Sequence, residues 1–552
     1  MKTVKKVLAL LVILSLVLAL AACGGGSSKK MDLLNVCISS EPQTIDPALN
    51  SSVDGAMMAN HMFEGLMKWK DDGKGNGVIT EGQAASYTVS DDGLVYTFKL
   101  RDGIKWSDGQ PVKAGDFVYA WQRLVDPVTA ADYNYMLDPV VNATAITNGE
   151  KAPSELGIKA IDDQTIEITL VAATPFFTEI CAFPATFPVR KDMIDAKGDQ
   201  WTFDVASYIG NGPYKMSEWV HNSYITLVKN ENYYDPNFAV PTSIKFTLMD
   251  DDNAMYAAFN SGELQFINTV PNDEVATLLE QKKLHVVDNI GTYYATFNNS
   301  KAPFNDVRVR QAFSLTIDRN YIVEQITKTG QIPAGGYVPS GILDAAGTSG
   351  DDFRKTGGDY YDVSKEKYQE NCDKARQLLA DIFLSIRHRY PGGQGFPIVE
   401  YLYNTSSAHK AIAEALQNMW QKELGVTVTL ANQDWAVFLQ TRKEGNYQIA
   451  RNGWIADYND PMTFLDMWVT GSGNNDAQYS NKQFDDLIAK AKATSVQKDR
   501  MQLMHDAEKI LVGDDWFSAP IYYYTNSYMI NPDVKGMYYV PLGYYFFNTC
   551  HY

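Results

Sequence analysis

Catalytic and metal-binding signatures are missing from this 552-residue chain. Its seven histidines stand at 61, 221, 285, 388, 409, 505 and 551, with no H-E-x-x-H and no pair at i, i+4, so no protein metal site is expected. No G-x-x-x-x-G-K-[ST] offers a phosphate loop. No G-x-S-x-G offers a nucleophile elbow, and no Cys or Ser sits where a neighbour would activate it, so the chain is not expected to be an enzyme or to carry a cofactor. Cysteine is scarce. Cys23, Cys37, Cys181, Cys372 and Cys550 form no C-x-x-C pair, which argues against a dense disulfide framework and leaves one long-range bridge open. Positive charge is the minority sign: 48 Lys plus Arg against 66 Asp plus Glu, a net charge of -18. That balance argues against a nucleic-acid partner and against direct adsorption on an anionic bilayer. No repeat of about 20 to 50 residues is visible.

Long apolar runs are also absent after the first residues. Lys2, Lys5 and Lys6 precede an apolar run from Val7 to Ala22 broken only by Ser15, which reads as a secretory signal. It ends in Leu20-Ala-Ala-Cys23, which resembles the lipobox of bacterial lipoproteins and implies cleavage before Cys23 and lipidation of that residue. Gly24-Gly-Gly-Ser-Ser-Lys-Lys30 then reads as a flexible tether, so the protein is expected on the outer face of the cytoplasmic membrane, held by a lipid. What the chain has in quantity is length, enough for two to four domains, and aromatic rings: 33 Tyr and 10 Trp suit pockets that accept varied side chains.

Regular patterns divide the chain. Asn35–Ile38 reads as a strand, Met57–Trp69 as an amphipathic helix, and Tyr87–Ser90 with Leu94–Leu100 as a hairpin around Asp92-Gly93. Asp116–Val125 reads as a helix with Phe117, Ala120, Trp121 and Leu124 on one stripe, and 157–161 with 165–170 as a second hairpin. From about Gly291 strands alternate with helices, and residues 343–362 read as a surface loop.

The densest chemistry lies in Arg451-Asn-Gly-Trp-Ile-Ala-Asp-Tyr-Asn-Asp-Pro461, a cation, two carboxylates and two large rings delivered by the alternating Tyr447–Ala450. A guanidinium and a carboxylate at a strand end suit the two charged ends of a zwitterion, or pair with each other. This segment, the opening Ser40-Glu-Pro-Gln-Thr-Ile-Asp-Pro47, the run Leu100-Arg-Asp-Gly-Ile-Lys-Trp-Ser-Asp-Gly-Gln-Pro-Val112, Asn211-Gly-Pro-Tyr214 and Pro303-Phe-Asn-Asp-Val-Arg-Val-Arg310 together resemble the bacterial oligopeptide-binding proteins of peptide ABC importers, the peptide and nickel class of solute-binding proteins.

The resemblance implies an α/β, two-lobed periplasmic-binding-protein fold (class II) with an extra inserted domain. Its expected divisions are a signal at 1–22, a tether at 23–31, one lobe from 32–55, 186–290 and 521–552, an inserted domain at 56–185, and the other lobe at 291–520. The implied ligand is an oligopeptide, delivered by a monomer to transmembrane permease subunits. Asp457 is implied to hold the peptide amino group, with Glu41 closing on it from the other lobe. The main chain around Gly453 and Ile455 is implied to run beside the peptide. Arg451 and His409 are candidates for its carboxylate, while Asn404, Trp435, Trp454 and Tyr133 would line side-chain pockets. Some relatives carry a cysteine at the position of Ile455, bonded to the hinge strand; here the implied partner position is Gly291. Dipeptide, nickel or haem receptors of the same fold, and a peptide-sensing lipoprotein, are the competing expectations.

Overall fold

The computed structural model describes residues 31–344, 351–389 and 396–552. The expected signal, Cys23 and nearly all of the tether lie outside the described residues. The chain opens with β1 (Leu33–Cys37), a turn-rich loop and α1 (Val53–Met62). It then leaves β1 and builds a separate four-stranded antiparallel sheet from β2 (Ala84–Val89), β3 (Val95–Leu100), β4 (Ile158–Asp162) and β5 (Thr165–Thr169), ordered β2-β3-β5-β4. Alternation decides which face is inside: Tyr96, Phe98, Leu100, Ile166 and Ile168 are buried, and α2 (Ala114–Val125) buries Phe117, Ala120, Trp121 and Leu124.

The chain returns through β6 (Tyr214–Val220), β7 (Tyr224–Lys229) and β8 (Ser243–Thr247), after which β8 and β9 (Phe266–Ile267) flank β1 in parallel. The thirteen-residue β10 (His285–Phe297) then leads into an alternating half. There α3 (Val307–Leu315), α4 (Tyr368–Arg389) and α5 (Ser407–Leu424) accompany β11 (Val399–Asn404) and β12 (Val428–Gln433). Next come α6 (Trp435–Lys443), β13 (Ile449–Ile455), α7 (Lys482–Lys492), α8 (Gln497–Glu508) and the thirteen-residue β14 (Ser518–Ile530). Local signals set several helix starts: Asp306 accepts from the Arg308 N–H and Ser406 from that of His409, satisfying donors the first turn leaves free.

The described strands of the two halves join in one sheet, β12-β11-β13-β10-β14-β9-β1-β8-β7-β6. Among the described residues, β10 and β14 are the strands through which the sheet passes from one half to the other. They pair antiparallel, His285–Asp288 with Tyr528–Thr525 and Thr292–Thr296 with Tyr523–Ser518, and the register shifts between these two blocks. Such a break in the ladder is where a paired ribbon bends and twists. On one side of it, Phe313, Tyr401 and Trp420 fill a core closed by the Trp420 indole N–H donating to Phe313 O at 2.8 Å. Gly291, beside the break, lies opposite Ile455.

Three expectations change. The Met57–Trp69 helix is instead α1, ending at Met62, followed by a strand at Met67–Asp71 paired with Gly77–Glu81. The backbone already turns extended at Phe63, and at Gly65 it passes so close to Cys181 O that a Cβ would lie 2.3 Å from it. The loop expected at 343–362 contains a helix, Phe353–Gly357, and buries the Arg354 guanidinium against Glu508. The four described cysteines are free and buried, so no bridge forms among them; burial pushes the Cys37 and Cys372 thiols up to about 11.

Candidate functional site

The site grows from β13. One edge of this strand pairs with β10 along its whole length, Ile449 opposite Phe297 through Ile455 opposite Gly291. The other edge pairs with β11 only at Ile449 and Ala450, so from Asn452 onward it is open toward a cavity. An open edge offers main-chain donors and acceptors to another extended chain. Gly453 keeps that edge clear: a Cβ there would meet the Tyr524 hydroxyl at 2.2 Å, and its N–H is held by the Asn452 side chain at 2.8 Å.

Beyond the strand, Asp457 is buried and, among the described residues, has no cation beside it. Its Oδ2 accepts from the Thr463 hydroxyl and its Oδ1 from the Tyr133 hydroxyl, both at 3.0 Å. Loss of solvent is the largest effect on this carboxyl and the nearby Asp466 charge adds to it. The two hydroxyls oppose both, and the result is a carboxyl pushed up to about 8. Asp457 is thus poised to lose its proton when a cation arrives.

At the other end of β13, Arg451 has no carboxylate partner among the described residues. Its guanidinium lies 5.2 Å from the Tyr293 ring and 5.9 Å from the Trp435 ring, with Nη2 donating to the Tyr524 hydroxyl at 3.4 Å. Its Nε is buried with no hydrogen-bond partner. His409, at the start of α5, stands 3.3 Å from the Tyr293 hydroxyl, and burial with the Arg451 charge holds it well below the usual imidazole range. His409 therefore offers a neutral ring nitrogen rather than a second positive charge. The α5 cap places it there, since Ser406 fixes the first turn on which His409 sits.

These groups face one cavity of about 320 Å³, far above the roughly 10–15 Å³ that a single water requires. Arg451, Gly453, Trp454, Ile455, Asp457, His409, Asn404, Trp435 and Tyr133 all line it. The Trp454 indole N–H, Asn404 Oδ1 and Arg451 Nε are buried there without partners, polar groups of the kind a ligand or its waters satisfy. The halves touch around the cavity. Lys443 meets Asp132 at 2.7 Å and Lys492 meets Asp138 at 2.5 Å, the Asn459 N–H donates to Glu179 at 2.8 Å, and Phe176 stacks on Tyr458 with ring centres 4.3 Å apart.

Glu41 is the exception among the expected residues. It does not line the cavity; its carboxylate accepts from the Asn222 N–H and lies 2.5 Å from His221 Nδ1, held by the β6–β7 turn. Two acceptor needs met locally turn this carboxylate away from the cleft. Several lining residues went unsignalled in the sequence. Tyr524 lines the cavity from β14, while Thr463 behind Asp457 and Tyr293 behind Arg451 and His409 hold the lining residues in place from outside it. The Lys443–Asp132 pair joins residues 311 apart. Tyr524 carried the one usable hint, the ring-rich run Tyr522–Tyr524.

Comparison with known proteins agrees with this geometry. A family model described as bacterial extracellular solute-binding proteins, family 5, middle region, matches residues 79–476. The periplasmic oligopeptide-binding protein OppA of Salmonella typhimurium is 36% identical over 90% of this chain and 88% of its own. The dipeptide-binding protein DppE of Bacillus subtilis is 33% identical over 99% of this chain and 98% of its own. Among solved structures, Haemophilus influenzae OppA in complex with RPPGFSPFR superposes with a TM-score of 0.87 at 30% identity, covering 95% of this chain and 99% of that one.

Proposed function

The chain belongs to the bacterial extracellular solute-binding proteins of family 5, and we propose that it is the lipid-anchored receptor of an ABC importer that captures oligopeptides between its two lobes. Asp457 takes the peptide ammonium, the open edge of β13 at Gly453 and Ile455 takes its main chain, and Arg451 with His409 takes its carboxylate. The observation that carries this reading is a buried guanidinium on β13 and a buried carboxyl just past its end, both lining one cavity and, among the described residues, neither paired with an opposite charge. An unpaired buried guanidinium is costly and the Asp457 carboxyl keeps its proton until a cation arrives, so a zwitterion that brings both counter-charges is the ligand they fit.

Spacing favours oligopeptides over dipeptides. Six residues separate Arg451 from Asp457, up to about 20 Å of strand at ~3.3 Å per residue, whereas a dipeptide spans about 7 Å. Side chains reaching inward shorten the gap to a ligand of about three to five residues. Trp454, Trp435, Asn404 and Tyr133 then border its side chains, and the unfilled polar atoms accept bridging water, which tolerates varied residues.

Closure supports delivery. Contacts on both sides of the cavity shut water away from Asp457 and Arg451, and the β10–β14 ribbon is the passage about which the halves move. Cys23 supplies the anchor that keeps the receptor beside its permease; replacing it by Ala should release the protein into the medium.

The test is to purify the chain from its host, unfold it, and identify released molecules by mass spectrometry. A mixture of short peptides sharing length but not sequence is expected, whereas a single non-peptide ligand would overturn the reading.

A further inference from the structure

The charges lining the cavity do not balance once a zwitterionic peptide is seated. Asp132 is paired with Lys443 at 2.7 Å and Asp476 with Arg442 at 2.5 Å. Asp457 and Arg451 are taken by the two ends of the ligand in the reading above, on which this inference rests. Among the described lining residues, one carboxylate is left over, Asp54.

Asp54 stands in the first turn of α1, on the opposite half from Arg451, and lines the cavity. Its Oδ2 is buried and has no hydrogen-bond partner. Loss of solvent raises its carboxyl above the usual range, while the Ser52 hydroxyl, the first-turn N–H groups and the Trp435 indole pull it back toward the charged form. Trp435 is also the ring beside the Arg451 guanidinium, 5.9 Å away. Asp54 therefore sits at the carboxylate end of the site, next to an aromatic face.

From this vacancy we infer that Asp54 and Trp435 form a subsite selecting peptides with a lysine or arginine side chain in their C-terminal half. The aliphatic stem of such a side chain lies along the Trp435 ring, and its cationic head reaches Asp54 Oδ2. Arg451 does not compete for that carboxylate, because its own environment consists of Tyr293, Tyr522, Tyr524 and Tyr401. A neutral side chain of equal length fills the space but leaves a carboxylate unpaired in a closed cavity, which is where discrimination arises.

The experiment uses alanine peptides of three to five residues with either lysine or norleucine at each C-terminal-half position, titrated calorimetrically into the wild-type protein and into Asp54→Asn. In the wild type the best lysine peptide should bind at least tenfold tighter than its norleucine counterpart. In Asp54→Asn the two should agree within about twofold, with the norleucine peptide bound at least as tightly as in the wild type, which also shows the variant is folded. Trp435→Leu should reduce the lysine preference without abolishing binding. Equal lysine and norleucine affinities in the wild type, or a lysine preference that survives Asp54→Asn, would overturn the subsite while leaving the peptide receptor intact. No binding of either peptide would overturn both.

Discussion

The Tyr133 hydroxyl donates to Asp457 Oδ1 at 3.0 Å across the cleft, joining two residues 324 apart in the chain. Tyr133 comes from the inserted four-stranded domain and Asp457 from the end of β13, so this bond exists only when the halves meet. The Tyr133 ring also lies 4.9 Å from Phe183 and 6.0 Å from Trp454, shielding the carboxyl from water on both sides. The shielding is what raises Asp457, and the raised carboxyl links closure, protonation and ligand charge.

Asp457→Asn should make the ligand-free protein more stable, and increasingly so as pH rises. An unfolded Asp ionises near 3.8, while folded Asp457 keeps its proton to about 8. Between these values the folded state binds more protons than the unfolded one, so the wild type loses stability as pH increases. Asn removes that loss. Thermal unfolding from pH 4 to 8 should show a gap that widens to a few kcal/mol at the upper end. A constant gap would mean that Asp457 is already ionised in the folded protein.

Peptide binding should expel a proton. An arriving ammonium favours the charged Asp457, so near pH 6 the protein should release close to one proton per peptide. Calorimetry in two buffers of different ionisation enthalpy reads this directly. The release should vanish in Asp457→Asn, which should also bind about 2 to 5 kcal/mol more weakly. N-acetylated peptides should show the same weakness in the wild type. Proton uptake instead of release would refute the ammonium assignment.

Much of this was legible in the sequence because it is local. The hairpin about Asp92-Gly93 and the α2 stripe read correctly because alternation and helical period act over a few residues. The resemblance added what periodicity cannot hold: Gly291 opposite Ile455, and Arg451, His409 and Asp457 in one cavity. Glu41 stands off the cavity because the β6–β7 turn 180 residues away takes its oxygens through His221 and Asn222, a contact no local pattern signals. Asp54 gave no signal at all. Nothing in Val53-Asp-Gly55 tells that a carboxylate will be left unpaired opposite Trp435.

Arg451→Met should weaken peptides with a free carboxylate by about 10- to 100-fold, the range of a hydrogen bond to a charged group. C-terminal amides should bind the wild type as weakly as free acids bind the variant, and should be nearly indifferent to the substitution. His409→Gln should have a smaller effect, because the buried imidazole is neutral and contributes no charge. A free acid and an amide losing equal affinity on Arg451→Met would remove the carboxylate assignment and leave a packing role against Tyr293 and Trp435.

Glu508→Ala should separate stability from binding. Glu508 is fully buried and accepts from the Arg354 guanidinium at 2.7 and 2.9 Å, from the Tyr337 and Val338 N–H groups at 2.8 Å and from the Tyr360 hydroxyl at 3.0 Å. Removing it strands a buried guanidinium, left with only the weaker pull of the Asp359 carboxyl, along with two main-chain donors. The cost of breaking such a pair is about 3 to 5 kcal/mol. Neither Glu508 nor Arg354 lines the cavity, so peptide affinity measured well below the unfolding temperature should stay within about twofold of wild type. Denaturant titration and calorimetry on the same sample decide the matter: a fall in affinity matching the fall in stability would show that the Phe353–Gly357 segment is coupled to the cleft rather than serving only to hold its half together.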